Sequence, residues 1–170
     1  MSDASEMPAR RLDATIGLGS NIGDKAANID AAIALLTADG DIRLTKASRK
    51  YRSAPWGVLD QDWFVNACIL IETRLSARAL LARCQRVENE MGRVRRQKWG
   101  PRLIDVDIVT YRDDVISESD LIVPHPLIAE RAFVLRPLQD IAPQTRINGK
   151  ALDVLIAALG DRDTVPMEHL

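Results

Sequence analysis

Two strand-like stretches lie between two helix-like stretches of this chain, with no helix between the strands. The first helical stripe is Ile29, Ala32, Ile33 and Leu36. The second is Ala77, Leu80, Leu81, Cys84, Val87 and Met91, again at the three-to-four-residue spacing of one helix face. Between them, Ile42 to about Tyr51 reads as a strand. Trp63 to Thr73 reads as a central strand, rich in apolar and β-branched residues. Ser53-Ala54-Pro55-Trp56-Gly57 marks the loop that separates them. Consecutive strands without a helical crossover pair antiparallel, so a doubly wound parallel sheet is disfavoured.

Strand signals at Leu12–Leu18 and Leu103–Tyr111 complete the order β-α-β-β-α-β. That order predicts an α+β, ferredoxin-like fold, an antiparallel sheet with two helices on one face. Asp24 is placed to cap a helix over Lys25–Thr37, and Ser76 a helix ending at Met91, with Gly92 after it. Short C-terminal additions follow. They are a turn at Asp113-Asp114, a short strand around Val115-Ile116 and a rigid Pro124-His125-Pro126 turn. A short helix is expected within Phe133–Ile141, and a terminal helix over Ala151–Leu159. Residues 1–11 are expected to form a disordered arm, and 12–170 one domain.

Composition narrows the function classes. Lys and Arg total 23 and Asp and Glu 24, a formal net charge of -1. Attachment to nucleic acid by bulk charge is therefore not expected. No apolar run reaches the length of a membrane span, and the first residues lack the apolar core of a signal peptide. The two cysteines, Cys68 and Cys84, form no CxxC pair and fall in apolar stretches, as reduced core thiols in a cytoplasmic protein do.

Gly17-x-Gly19 after a strand and before a helix suggests dinucleotide binding. The next glycine is Gly23, one residue beyond the fingerprint, and no βαβ crossover supports it. A tight turn formed by Gly17, Gly19, Ser20, Asn21 and Gly23 is expected instead. Bare backbone that admits a flat ligand is a further option.

The sharpest local feature is Asp105-Val106-Asp107 inside Leu-Ile-Asp-Val-Asp-Ile-Val. Alternation puts both carboxylates on one face of one strand. There they repel each other and pay desolvation unless solvent or a cation relieves them. Mg²⁺ is commonly held by one or two carboxylates plus substrate phosphates. A solvated sheet face explains the pair equally simply.

Just upstream, Arg93, Arg95, Arg96, Lys98 and Arg102 surround Trp99, with no acid among them. A solvated loop has this composition. Beside two metal-type carboxylates it also has the parts that hold a polyphosphate. His125, in its stiff turn, and Arg131 add candidate phosphate contacts. Phe133 is either core or one side of a stacking slot.

The ordered set resembles one known family. Lys98-Trp99-Gly100-Pro101-Arg102-x-x-Asp105-Val106-Asp107-Ile108-Val109 looks like the signature of 6-hydroxymethyl-7,8-dihydropterin pyrophosphokinase. Gly19-Ser20-Asn21-x-Gly23-Asp24, Tyr51-Arg52-Ser53-x-Pro55-x-Gly57 and Phe64-x-Asn66-Ala67 extend it. Glu88, Gly92-Arg93, Val123-Pro124-His125-Pro126 and Arg131-x-Phe133 complete a match from about Ala14 to Pro143.

The resemblance implies a ferredoxin-like enzyme of folate biosynthesis. It transfers pyrophosphate from ATP to the pterin hydroxymethyl group and releases AMP. It implies two Mg²⁺ on Asp105 and Asp107. It places the pterin between Phe64 and Phe133, with its polar edge read by Asn66 and by the backbone around Ser53, Ala54 and Trp56. It assigns Gln85, Glu88, Arg95, Lys98, Trp99, Arg102, His125 and Arg131 to the nucleotide, and Arg93 and Arg102 to catalysis. Phe64 stands where the family often has Tyr, and Lys98 where Arg is frequent. No partner beyond ATP and the reduced pterin is implied, and a monomer is expected.

Three rivals remain at this stage. One is a ferredoxin-like RNA-binding module, although no RNP-type aromatic motif is present. Another is a nucleotidyl transferase with a DxD strand, which releases pyrophosphate rather than AMP. The third is a catalytically silent relative.

Overall fold

A computed structural model describes residues 12–55, 59–92, 103–160 and 164–167. The expected N-terminal arm lies outside them, as does the basic stretch 93–102.

Among the described residues the main sheet is antiparallel and has six strands. They are β1 (Leu12–Ser20), β2 (Ile42–Ala47), β3 (Tyr51–Ser53), β4 (Phe64–Thr73), β5 (Asp105–Tyr111) and β10 (Thr164–Pro166). The path runs β10-β3-β4-β1-β5, and β2 pairs with the second half of β4. Helix α1 (Lys25–Thr37) joins β1 to β2, and α2 (Ala77–Glu90) joins β4 to β5. The result is the ferredoxin-like order expected from the alternation of strand and helix signals.

Both helices start where their caps predict. Asp24 Oδ1 accepts from the Ala27 N–H at 3.0 Å, and Ser76 Oγ from the Ala79 N–H at 3.1 Å. Gly92 follows α2 with φ +79°, a conformation that favours glycine. The stripes Ile29–Ala32–Leu36 and Leu80–Cys84–Val87 are buried against Ala14, Ile16 and Leu18 of β1 and Val65, Ala67, Ile69 and Ile71 of β4. Arg83 of α2 pins the α1–β2 turn through Asp39 (2.6 Å) and Asp41 (2.9 Å).

The sequence reading differs from the fold in four places. The strand expected over Ile42–Tyr51 is two strands. Between them the Ser48 N–H donates to the Cys68 carbonyl, and Ser48 Oγ accepts from the Cys68 N–H, both at 2.9 Å. A side chain thus takes over part of the ladder and lets the chain bend. Second, β1 continues to Ser20, so Gly17 and Gly19 are strand residues and not turn residues.

Third, the C-terminal additions are larger than expected. The expected short strand and two helices are present as β6 (Ile116–Ser117), α3 (Ala132–Ile141) and α4 (Leu152–Leu159), and the unexpected parts are β7 (Ile122–Val123), which pairs with β6, and the hairpin β8 (Arg146–Ile147)–β9 (Lys150–Ala151). Fourth, these additions cover the sheet's other face. Leu135, Leu138 and Ile141 of α3 and Leu152 and Leu155 of α4 form a second buried cluster with Cys68 and Val109.

Asp140 ties α3 to the sheet. Its carboxylate accepts from the Arg49 guanidinium at 3.0 Å and from the buried Tyr51 hydroxyl at 2.9 Å. Burial alone would raise the Asp140 carboxyl; the hydrogen bonds from Arg49 and Tyr51 outweigh it and hold it below the ordinary carboxylate value. Cys68 and Cys84 are both free and buried, and burial pushes both thiols up. No helix among the described residues is long and apolar enough to cross a membrane.

Candidate active site

The site follows from the two-residue period of three adjacent strands. Ala14, Ile16 and Leu18 of β1 point toward α1 and α2, so Thr15, Gly17 and Gly19 face the α3 side. On β4, Val65, Ala67 and Ile69 take the first face, which leaves Phe64, Asn66 and Cys68 for the second. On β5, Val106 and Ile108 are core, as is Ile104 just before it, so Asp105 and Asp107 face α3 as well. The register aligns them. Gly19 pairs with both Asn66 and Asp105, and Gly17 with both Cys68 and Asp107.

On this face the strands and the first turn of α3 line a cavity of about 900 Å³, open mouth included. Gly17 and Gly19 form its floor. Asp105 and Asp107 line one side, and Phe64, Asn66, Ser53 and Ala54 the other. His125, Arg131 and Phe133 come from the segment entering α3. An ideal Cβ at Gly19 would lie 2.9 Å from Asn66 Oδ1 and 4.0 Å from a Phe64 ring carbon. At Gly17 it would lie 3.2 Å from Val109 Cγ2. Only glycine leaves this floor flat without moving its neighbours.

Each wall is held from behind. Asn66 Nδ2 donates to Ser53 Oγ at 2.6 Å, which fixes the orientation of the amide. His125 Nδ1 accepts from the Leu127 N–H at 3.0 Å, so the neutral ring carries its proton on Nε2. Burial lowers the His125 pKa, and the Arg131 charge adds to that shift. The residue therefore offers a neutral N–H donor at neutral pH.

Ahead of Phe64, Asn21 Nδ2 donates to Gln61 Oε1 at 2.9 Å and to the Asp62 carbonyl at 3.2 Å. Lys25 Nζ donates to Asp62 Oδ2 at 2.7 Å, which is the main reason the Asp62 carboxyl lies below its ordinary value.

The structure brings together nine of the residues singled out from the sequence: Ser53, Ala54, Phe64, Asn66, Asp105, Asp107, His125, Arg131 and Phe133. It places two elsewhere. Gln85 is exposed on α2. Glu88 is 3% exposed on α2, and its Oε1 accepts from the Val106 N–H at 2.9 Å, behind the two-carboxylate strand. Trp56, Arg93, Arg95, Lys98, Trp99 and Arg102 lie outside the described residues. Gly17 and Gly19, which the reading placed in a turn, line the cavity from within β1. The signal that locates them is the alternation Ala14-Thr15-Ile16-Gly17-Leu18-Gly19, which is a strand period.

The donor set fits magnesium. Asp105, half-buried, and Asp107, exposed, are two oxygen donors on one face, next to open space for phosphate oxygens. Among the described residues no group of three or more His, Cys, Asp or Glu forms a closed metal cage. An ion held here would keep open positions for a substrate.

Comparison with known proteins agrees with this geometry. The model of the 7,8-dihydro-6-hydroxymethylpterin-pyrophosphokinase (HPPK) family matches residues 15–143. The 2-amino-4-hydroxy-6-hydroxymethyldihydropteridine pyrophosphokinase of Methylorubrum extorquens is 47% identical over 146 residues, 86% of this chain and 92% of its own length. That of Bacillus subtilis is 44% identical over 131 residues, 77% of this chain and 78% of its own.

Among solved structures, an HPPK-DHPS in complex with substrates superposes with a TM-score of 0.70 at 13% identity. The match covers 88% of this chain and 43% of that one. Plasmodium falciparum HPPK-DHPS with pteroate gives the same TM-score and identity, covering 90% and 43%. This chain thus spans less than half of either solved chain, and at that identity the likeness is one of fold. The family match runs from the first strand through α3, across every element that lines the cavity. The chain belongs to the 7,8-dihydro-6-hydroxymethylpterin-pyrophosphokinase family.

Proposed function

We propose that this pyrophosphokinase transfers pyrophosphate from ATP to 6-hydroxymethyl-7,8-dihydropterin, releases AMP, and does so with Mg²⁺ held by Asp105 and Asp107. One observation carries the reading. Two carboxylates, a paired Asn66–Ser53 amide and hydroxyl, and two phenylalanines face one cavity over a glycine floor. Carboxylates suit a metal–phosphate substrate, and a flat floor between aromatic residues suits a fused heterocycle.

The pterin lies over Gly19 with Phe64 and Phe133 against its faces, and Asn66 pairs with its polar edge. The hydroxymethyl oxygen then points toward Asp105 and Asp107. It attacks the β-phosphorus of ATP in line. The new bond joins that oxygen to the β-phosphorus, the bond to the α-phosphate bridging oxygen breaks, AMP leaves, and the hydroxyl proton passes to solvent. Asp105 and Asp107 would hold magnesium, two ions by the sequence resemblance, and that group would offset phosphate charge and lower the pKa of the attacking hydroxyl.

The protein's own work is alignment and charge stabilisation. His125 Nε2–H and Arg131 donate to phosphate oxygens. Arg93, Arg95, Lys98, Trp99 and Arg102 enter from the sequence resemblance alone, Arg93 and Arg102 as charge stabilisers during transfer. Trp56 enters the pterin contact in the same way; Gln85 and Glu88, given to the nucleotide by the same resemblance, stand on α2 outside the cavity lining, and Glu88 acts there on the Val106 N–H.

We assign residues 12–170 to one catalytic domain, acting as a monomer in the cytoplasm. The two buried free thiols and the scatter of exposed apolar side chains over separate elements support this assignment.

The test is AMP release from ATP, with and without the pterin, before and after chelation. AMP formed only with the pterin and abolished by chelator supports the reading. Pyrophosphate release instead would move it to nucleotidyl transfer. No release from folded protein would make the chain a silent member of the family.

A further inference from the structure

The segment leading into Phe64 has no regular backbone pairing: residues 59–63 lie outside every strand and helix. Something else sets where β4 begins. Alternation puts Trp63 on the α1 side of the sheet and Phe64 in the cavity, so the two side chains leave the same stretch of backbone in opposite directions. Trp63 packs against the α1–α2 core. Two cations approach its ring, with Lys25 Nζ 3.6 Å and the Arg52 guanidinium carbon 4.5 Å from the centroid. Lys25 is 8% exposed, which is unusual for a lysine, and its ammonium also meets Asp62 at 2.7 Å. Asp62 Oδ1 in turn accepts from the Trp63 N–H at 2.9 Å.

One side chain on α1 therefore holds the residue before Phe64 by its ring, and the residue before that by its carboxylate. A desolvated cation over an indole is worth more than an exposed one. Lys25 does not line the cavity.

We propose that Lys25 is a positioning residue for the pterin: through Trp63 and Asp62 it holds the Phe64 ring in the wall of the slot. This rests on the pterin reading above. Rotation of the Trp63 peptide, which the clamp prevents, would carry Phe64 off the floor at Gly19. The nucleotide side of the cavity, at Asp105, His125 and Arg131, is built on other elements and is independent of the clamp.

The experiment compares full-length wild type, Lys25→Met, Lys25→Arg and Asp62→Asn. It measures kcat and the KM for each substrate. Lys25→Met keeps the apolar stem and removes the charge. It should raise the pterin KM about tenfold, leave the ATP KM within about twofold, and be rescued by Lys25→Arg. Asp62→Asn, which weakens the same anchor from its exposed end, should move the pterin KM in the same direction by a smaller factor.

An unchanged pterin KM in Lys25→Met overturns the proposal. So does an equal rise in both KM values, because general loosening does not distinguish the substrates. Wild type that turns over no pterin would overturn the function reading itself and this inference with it.

Discussion

Asn66 and Asp105 stand on either side of Gly19 in one row of the sheet, each its registered partner on a neighbouring strand. Two strand spacings separate their Cα atoms, about 10 Å. A polar amide and a carboxylate thus face the same bare strip of backbone. One suits the edge of a heterocycle and the other the group that reacts at its far end.

If that strip must stay bare, Gly19→Ala is harmful out of proportion to its size. The new methyl would sit 2.9 Å from Asn66 Oδ1 and push the amide off Ser53. The expected cost is about 1–3 kcal/mol in stability, as for other overpacked sites. The pterin KM should rise more than the ATP KM. Urea unfolding and steady-state kinetics on the one variant measure both.

Asp105→Asn and Asp107→Asn keep the shape of the strand and remove its charge. Each should lower kcat at least about a hundredfold, the scale of lost metal-assisted charge stabilisation. Because neither side chain is buried, the melting temperature should hold. AMP release across a magnesium titration checks this. Full activity in either variant would remove that residue from the metal assignment.

Glu88 acts on the same strand from behind. Its Oε1 satisfies the Val106 N–H between the two carboxylates. Glu88→Leu leaves that N–H buried without this acceptor, at about 1–3 kcal/mol. Glu88→Gln keeps an acceptor oxygen and should cost less. Chemical denaturation of the pair measures the difference. A larger loss of kcat in Glu88→Leu than in Glu88→Gln would follow from a loosened β5.

His125 gives a pH dependence with a definite sign. Burial and Arg131 lower its folded pKa, so the unfolded chain takes up the proton first as pH falls past the ordinary histidine value of about 6.5. The neutral ring's contribution to stability is present above that pH and is lost as pH falls through the window between the two pKa values. His125→Gln should therefore show a flatter melting temperature than wild type on going from neutral to mildly acidic pH. Protonation also removes the Nδ1 acceptor for the Leu127 N–H, so the ring should reorient and activity should decline in the same window.

Much of the fold was legible because local signals and tertiary packing agree. Asp24 and Ser76 cap the helices they were expected to cap, and both stripes are buried. The carboxylate strand was legible because a period of two leaves no choice of face. The second layer was not. Asn148-Gly149 between Ile147 and Lys150 is a hairpin signal, with both residues at positive φ, but the strands it joins are two residues each, too short to show a period.

The break at Ser48 depends on a long-range bond to Cys68, which no local pattern shows. The glycines misled for the opposite reason. Gly17 and Gly19 look like turn residues until the neighbouring Ala14, Ile16 and Leu18 are counted as one buried face. The separation of Glu88 from the cavity arises from the packing of α2 behind β5, which spacing along the chain does not encode.

The bare floor also bears on drug resistance. Resistance to a competitive inhibitor usually arises when a binding-site side chain is exchanged for one the drug cannot tolerate. Gly17 and Gly19 offer no side chain to exchange. Every replacement at 19 meets Asn66, the residue proposed to pair with the substrate's polar edge, before it meets the drug. A planar inhibitor whose contacts are concentrated on that strip of backbone leaves the enzyme few substitutions that exclude the drug and spare the substrate.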